Sequence, residues 1–309
     1  MSDSGRRAES AVGYRSSEYA ECFSQHGQVI ELSTSGAWVL ERPIPHSSNF
    51  DATGLYPLMV PIDGASLPGD LEDFKERWVS LVAVSDPFDS TLQTAFKACS
   101  GTHTHFKDHY VTDLSQPVES YVAAKRLRQA SRAEDFFHIT VERDEVSDRS
   151  IEDCWKLYDA TMERVEATGL RRFSAAAFRR MLRVPGVVCF VARDESGAIA
   201  MQVDYHDGDF VYAHLAASND VGRRLGAAAA INIHQIRHYD GLARWIDSGS
   251  APGSAETPTH GLARFKKAFS NRVEPVYLCK AVFDARAYEQ LSEGFSSSYF
   301  PAYREGELN

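Results

Sequence analysis

"WIDSGSAPGSAETPTHGLARFKKAFS", Trp245–Ser270, is the stretch whose reading decides the fold. The strand Ala243–Asp247 (ARWID) runs into Ser248–Thr259, a loop of small residues, glycine and proline. The chain then enters a short helix, "HGLARFKKAF", with Lys266 beside the aromatic Phe265 early in it. An acid ends a strand, a flexible crossing follows, and a lysine comes next.

The elements around it are legible on both sides. Downstream, Pro275–Ala281 (PVYLCKA) reads as a strand and Ala285–Glu293 as a helix. Upstream, Phe137–Glu142 (FHITVE) alternates as a strand does. Ser150, with Asp153 three residues later, offers a helix N-cap. Ile151, Cys154, Trp155, Tyr158, Met162 and Val165 follow at helical spacing, and Gly169 stops the run. Ser174 caps a second helix to Leu182, which Pro185–Gly186 breaks. Three strands come next: Val187–Arg193, Ala198–Tyr205 and Phe210–Ala216, the last two joined through Asp207–Gly208, a hairpin signal. A helix covers Gly226–Tyr239.

The first half gives shorter signals. Strand-like runs lie at Val29–Leu32, Trp38–Glu41, Leu58–Pro61, Val79–Val84 and Tyr110–Leu114. Helices are expected over Asp70–Arg77, Thr91–Ala98 and Val118–Arg132, the last bridging the two halves. Alternating elements with an antiparallel start predict a mixed sheet covered by helices.

Composition excludes several classes. With 43% hydrophobic and 25% charged residues in 309, the chain is globular and long enough for two domains. No run of about 18 apolar residues exists, so no membrane span is expected. The polar start MSDSGRRAES lacks the apolar core of a secretory signal. Cys22, Cys99, Cys154, Cys189 and Cys279 are scattered, without CxxC spacing, which fits a reducing cytoplasm. Cys154, Cys189 and Cys279 read as small core residues. No Gly-x-Ser-x-Gly elbow supports a serine hydrolase. The net charge of −10 argues against a broad polyanion-binding surface. The basic runs Lys125–Arg132 and Arg171–Arg183 read as solvated helix faces.

The element order resembles the GNAT acyltransferase superfamily from Phe137 to Phe283. After the third meander strand, Arg223, Gly226 and Ala228 fit that superfamily's Arg/Gln-x-x-Gly-x-Gly/Ala pattern, with Arg224 adjacent. Backbone N–H groups at a helix start meet a pyrophosphate, and small residues allow close approach. Small residues packing a helix tightly on a sheet would give the same letters.

Asp247, Gly249, Gly261, Leu262, Phe265, Lys266 and Phe269 resemble a narrower pattern, that of the Fem-type branch founded on peptidoglycan-bridge aminoacyltransferases. Ser248 and Ser250 depart from its double glycine. The resemblance implies an α/β (α+β) fold of two GNAT-like domains, each a mixed, mostly antiparallel sheet flanked by helices. The expected division is 1–132 for a degenerate first domain and 133–309 for the acyltransferase domain. It implies an acyltransferase binding donor in the second domain and acceptor between the two, with direct transfer to an amine and no metal. The donor is acyl-CoA by the Arg223 pattern, or aminoacyl-tRNA by the Fem-type segment. The acceptor is a small-molecule or peptide amine. A non-catalytic binding protein on this scaffold is the third reading.

The lysine of Phe-Lys carries substrate binding and intermediate stabilisation in that family, which falls here on Lys266. Capping carbonyls or pairing with an acid such as Glu256 are its plainer roles. Phe265 packs the backbone. An amine must lose a proton, and Asp247, His214 and Asp204 are the candidate bases, in that order. Tyr212 shares a strand face with His214. Gly249, Phe265, Tyr212 and His260 are the expected substrate-binding residues, with a solvent-exposed His260 the equal alternative. Asp247 as a loop cap, His214 as a core histidine and Asp204 as a turn residue are the alternatives. "THTHFKDHY" places His103, His105 and His109 at metal-like spacing, but no cysteine or carboxylate pair completes a site.

Overall fold

The computed structural model describes residues 11–167, 169, 172–251, 261–295 and 299–306. In chain order the elements are α1 Ser17–Ala20, β1 Gln28–Leu32, β2 Ala37–Pro43, β3 Phe50–Gly54, α2 Leu67–Phe74, β4 Trp78–Val84 and α3 Thr91–Ala98. Then come β5 Thr102–Asp113, α4 Ala124–Ala133, β6 His138–Arg143, α5 Asp148–Arg164, α6 Ala175–Met181, β7 Val187–Asp194, β8 Gly197–Asp207 and β9 Phe210–Ser218. The series ends with α7 Asp220–Leu225, α8 Ala227–Tyr239, β10 Trp245–Asp247, α9 Gly261–Lys267, β11 Arg272–Val282 and α10 Ala285–Leu291. A mixed sheet flanked by helices is as the sequence predicts.

By internal contacts the chain divides into two units interleaved along the sequence. One unit holds Tyr14–Phe106 and most of the chain from Pro275 on. In it, β1, β2 and β3 are antiparallel neighbours, β3 and β4 run parallel, and β11 pairs antiparallel with β4. Its core packs Leu67 and Leu71 of α2 and Leu92 and Phe96 of α3 against Trp78, Leu81 and Cys279.

The other unit is built from Lys107–Ala167 and Ser174–Glu274. There β6, β7, β8 and β9 form an antiparallel meander, β10 pairs parallel with β9, and β5 pairs antiparallel with β10. α4 and α8 cover one face, packing Ala130, Ala230, Ile231 and Ile236 with Val188, Phe190, Val211 and Ile246. Cys154 of α5 touches Cys189 of β7, its sulfur 3.6 Å from the other, so α5 lies on the opposite face.

Local chemistry sets these bounds. The hydroxyls of Ser147, Ser174 and Asn219's amide oxygen cap α5, α6 and α7 by accepting N–H groups of the first turn. α5 starts one turn before the expected Ser150, because Ser147 three residues earlier takes the capping role. α7, not expected, lies hard on β8: a Cβ at Gly222 would stand 2.2 Å from the Ile199 carbonyl oxygen. Only glycine permits that approach. Leu58–Pro61, expected as a strand, is a buried loop, and Phe50–Gly54 is the strand instead. No helix among the described residues is long and apolar enough to cross a membrane.

Candidate functional site

Asp247 ends β10 and is 4% exposed. The next residues turn sharply: Gly249 sits at φ +68°, a conformation that favours glycine, and its N–H donates to Asp247 Oδ1 at 2.7 Å. The turn is laced to β5, since Tyr110 N–H donates to the Gly249 carbonyl and Ser248 N–H to the Tyr110 carbonyl (3.2 and 2.9 Å). His109, one residue before, is 7% exposed, and its Nδ1 lies 3.0 and 2.9 Å from the two Asp247 oxygens.

Lys266 approaches the same turn from α9. Its Nζ donates to the Ser250 carbonyl at 2.7 Å, and a Cβ on Gly249 would stand 3.4 Å from that nitrogen. Ser250 serves through its backbone and the positive-φ position keeps its glycine, so the departures from a double glycine leave this geometry intact. Phe265 packs against the α8 core with its ring 5.0 Å from Phe269. Lys266 is half-buried. Burial pushes its pKa down to about 8, with Asp247 opposing the shift and Lys107 adding to it.

The plainer roles are thus both met: Lys266 caps a carbonyl and Asp247 caps the turn. What goes beyond them is the cost of the arrangement. A surface lysine would cap a carbonyl without losing hydration, whereas this ammonium is held partly desolvated beside a buried carboxylate.

Tyr212, 2% exposed, stands opposite Asp247 in the parallel β9–β10 register and on the same face. His214 lies on β9 with its ring 5.1 Å from Tyr205, and burial pushes its pKa down to about 3, so it is neutral at physiological pH. A bulge shifts the β8–β9 register between Val203 and Asp204.

Asp204 is not brought to this site. It belongs to the opposite face, fully buried, where Gln202 Nε2 donates to Oδ1 (3.0 Å) and Gln235 Nε2 of α8 donates to Oδ2 (2.8 Å). Ile246, which alternates with Asp247, packs on that same α8 face. Burial pushes the Asp204 pKa up to about 7, from 3.8, against those hydrogen bonds. Between these values the native chain holds a proton that the unfolded chain has released. Stability therefore falls as pH rises from about 4 to 7, then levels off. Asp204→Asn should remove that slope and stabilise the fold at pH 8 by about 1–3 kcal/mol, read by urea unfolding. Lost activity with an unchanged slope would return Asp204 to the reaction.

The phosphate-cradle candidates divide. Gly226, at φ +75°, ends α7 and starts α8, with Ala228 in the first turn of α8. Arg223 is held locally, donating to the Ser218 carbonyl at 2.6 Å and pairing with Asp220. Arg224 is exposed. His260 lies outside the described residues. The three histidines of "THTHFKDHY" also divide: His103 and His105 stand edge-on to Tyr277, and His109 pairs with Asp247. Among the described residues no group of three or more His, Cys, Asp or Glu side chains is placed to hold a metal ion.

No protein-family model matches the chain, and no curated protein sequence does. Solved structures do. FemX superposes with a TM-score of 0.66 at 12% identity, over 89% of this chain and 93% of that one. The C-terminal domain of a protein named lysylphosphatidylglycerol synthetase from Agrobacterium fabrum gives 0.65 at 14%, over 87% of each. L-PGS from Bacillus licheniformis gives 0.61 at 13%, over 92% and 96%. At such identities the likeness is one of fold alone, the fold these three structures have.

Proposed function

We propose that the chain is an acyltransferase that moves an acyl group directly from a thioester or ester donor to an amine. The observation that carries this is the placement of Lys266: a partly desolvated ammonium at the glycine turn that closes β10, with one N–H spent on Ser250. An ammonium has three donors, and the remaining two suit a carbonyl oxygen that gains charge as the amine attacks. Positioning of donor and amine would contribute much of the rate.

Acyl-CoA is the donor we favour. The N-terminus of α8, opened by Gly226 and Ala228 with Arg224 exposed beside it, supports pyrophosphate binding. Aminoacyl-tRNA is the second reading, favoured by the likeness in fold to FemX and to the lysylphosphatidylglycerol synthetases. The acceptor is a small-molecule or peptide amine.

Thermal-shift measurements with acetyl-CoA, longer acyl-CoAs and charged tRNA separate these. A donor at 100 times its Kd stabilises the fold by about 2.7 kcal/mol through mass action. We expect acyl-CoA to raise the Tm. A shift with charged tRNA alone would select the second donor. No shift with any of them, together with ligand-dependent function that survives Lys266→Ala and Asp247→Ala, would mark a non-catalytic binding protein.

A further inference from the structure

We infer that His109 is the general base of this transfer and that Asp247 is the residue that positions it. The inference rests on the reading of the chain as an amine acyltransferase.

Asp247 is poorly placed to take a proton itself. It is 4% exposed, its Oδ1 accepts from Gly249 N–H, and both its oxygens lie within 3.0 Å of His109 Nδ1. The carboxylate accepts only, so the hydrogen of a neutral imidazole belongs on Nδ1, where it donates to Asp247. That leaves the lone pair on Nε2. Among the described residues Nε2 makes no hydrogen bond, while the ring is held firmly. The main chain on either side is fixed as well. Tyr110 exchanges both of its backbone hydrogen bonds with the turn, and Val111 pairs in register with Asp247.

The base and the ammonium are therefore anchored to one four-residue segment, Asp247–Ser250, His109 through its first residue and Lys266 through its last. Among the described residues, the charged and titratable groups placed near this dyad include Lys107 from β5, Lys266 from α9 and the Tyr212 phenol from β9. The site thus has separate partners for the two charges that aminolysis creates.

The step balances without a further reactant. A neutral amine attacks the acyl carbonyl carbon, and a C–N bond forms while the carbonyl oxygen gains charge against Lys266. The nitrogen's proton passes to His109 Nε2. As the C–S or C–O bond to the donor breaks, the leaving thiolate or alkoxide takes that proton, and the imidazole returns to its starting form.

The test compares wild type with His109→Gln, whose amide can still donate to Asp247. Acetyl-CoA, lauroyl-CoA and charged tRNA serve as donors, with glycinamide and a lysine-containing tripeptide as amines. We expect kcat to fall by about 100-fold or more while the donor KM changes by less than about threefold. The acidic limb of the wild-type kcat/KM profile should disappear. His109→Gly supplies a control for folding, because added imidazole should restore part of its rate. Turnover and acidic limb retained in His109→Gln, or no rescue by imidazole, would overturn the base while leaving the acyltransferase reading in place. No wild-type turnover with any donor and amine would overturn that reading, and the base with it.

Discussion

Lys266→Met should lose activity and gain stability. Removing an oxyanion-stabilising donor costs about 10²–10³-fold in kcat. The same change relieves the fold of a partly desolvated ammonium. The Lys266 pKa is about 8 in the native chain against 10.5 for the free side chain. Between these values the unfolded chain binds a proton that the native chain has released, so native stability rises with pH across that window and carries its full penalty below it. At pH 7 the methionine variant should be more stable by on the order of 1 kcal/mol, after subtracting the lost hydrogen bond to Ser250. The window between pH 8 and 10.5 should lose its slope. The wild-type rate should decline as pH rises through about 8, because the ammonium form is the one that acts. Lys266→Arg should carry activity past that point, since arginine stays charged. A methionine variant that is less stable at pH 7 and fully active would reduce Lys266 to a carbonyl cap.

Most of the fold could be read from local signals. The meander β7–β9 shows as apolar runs broken by tight turns, and α3 has the expected bounds, Thr91–Ala98. Failures occur where burial and pairing part company. Leu58–Pro61 is apolar because it is buried, but its backbone does not join a ladder beyond Met59 N–H donating to Val84. β3 escapes notice because Asp51, its second residue, looks like a turn residue. Arg304 holds that carboxylate from 253 residues away, with two hydrogen bonds of 2.9 Å. No window on the sequence contains both partners.

The site divides in the same way. Asp247, Gly249 and Lys266 were legible because a turn and a helix bring them together within one segment. Asp204 was assigned to the reaction because it lies on a strand paired with that of His214. The pairing does not say which face a side chain takes, and the β8–β9 bulge interrupts the alternation that would have said so. His109 was visible only as one of three histidines. Its partner is 138 residues away, on a strand of three residues, and strand pairing alone joins them.

Asp247→Asn should separate the roles assigned around the turn. One amide oxygen can still accept from Gly249 N–H, so the turn and the fold should survive. The amide NH₂ then faces His109 Nδ1, and two donors cannot share that contact. The imidazole hydrogen must move to Nε2, which removes the lone pair that would accept the amine's proton. A loss of about 10²–10⁴ in kcat follows from the loss of general-base catalysis. Asp247 also raises the Lys266 pKa against the effect of burial. With that charge gone the ammonium should deprotonate at lower pH, so the alkaline decline in the residual rate should begin below pH 8. Asp247→Ala should add a stability loss of about 1–3 kcal/mol, because the Gly249 N–H loses its acceptor. If Asp247→Asn lowered the rate without moving the alkaline limb, the carboxylate would not be coupled to Lys266. If it moved the limb and left the rate at lower pH unchanged, His109 would owe nothing to Asp247. The two readouts come from one pH–rate profile, and each concerns a different neighbour of the same carboxylate.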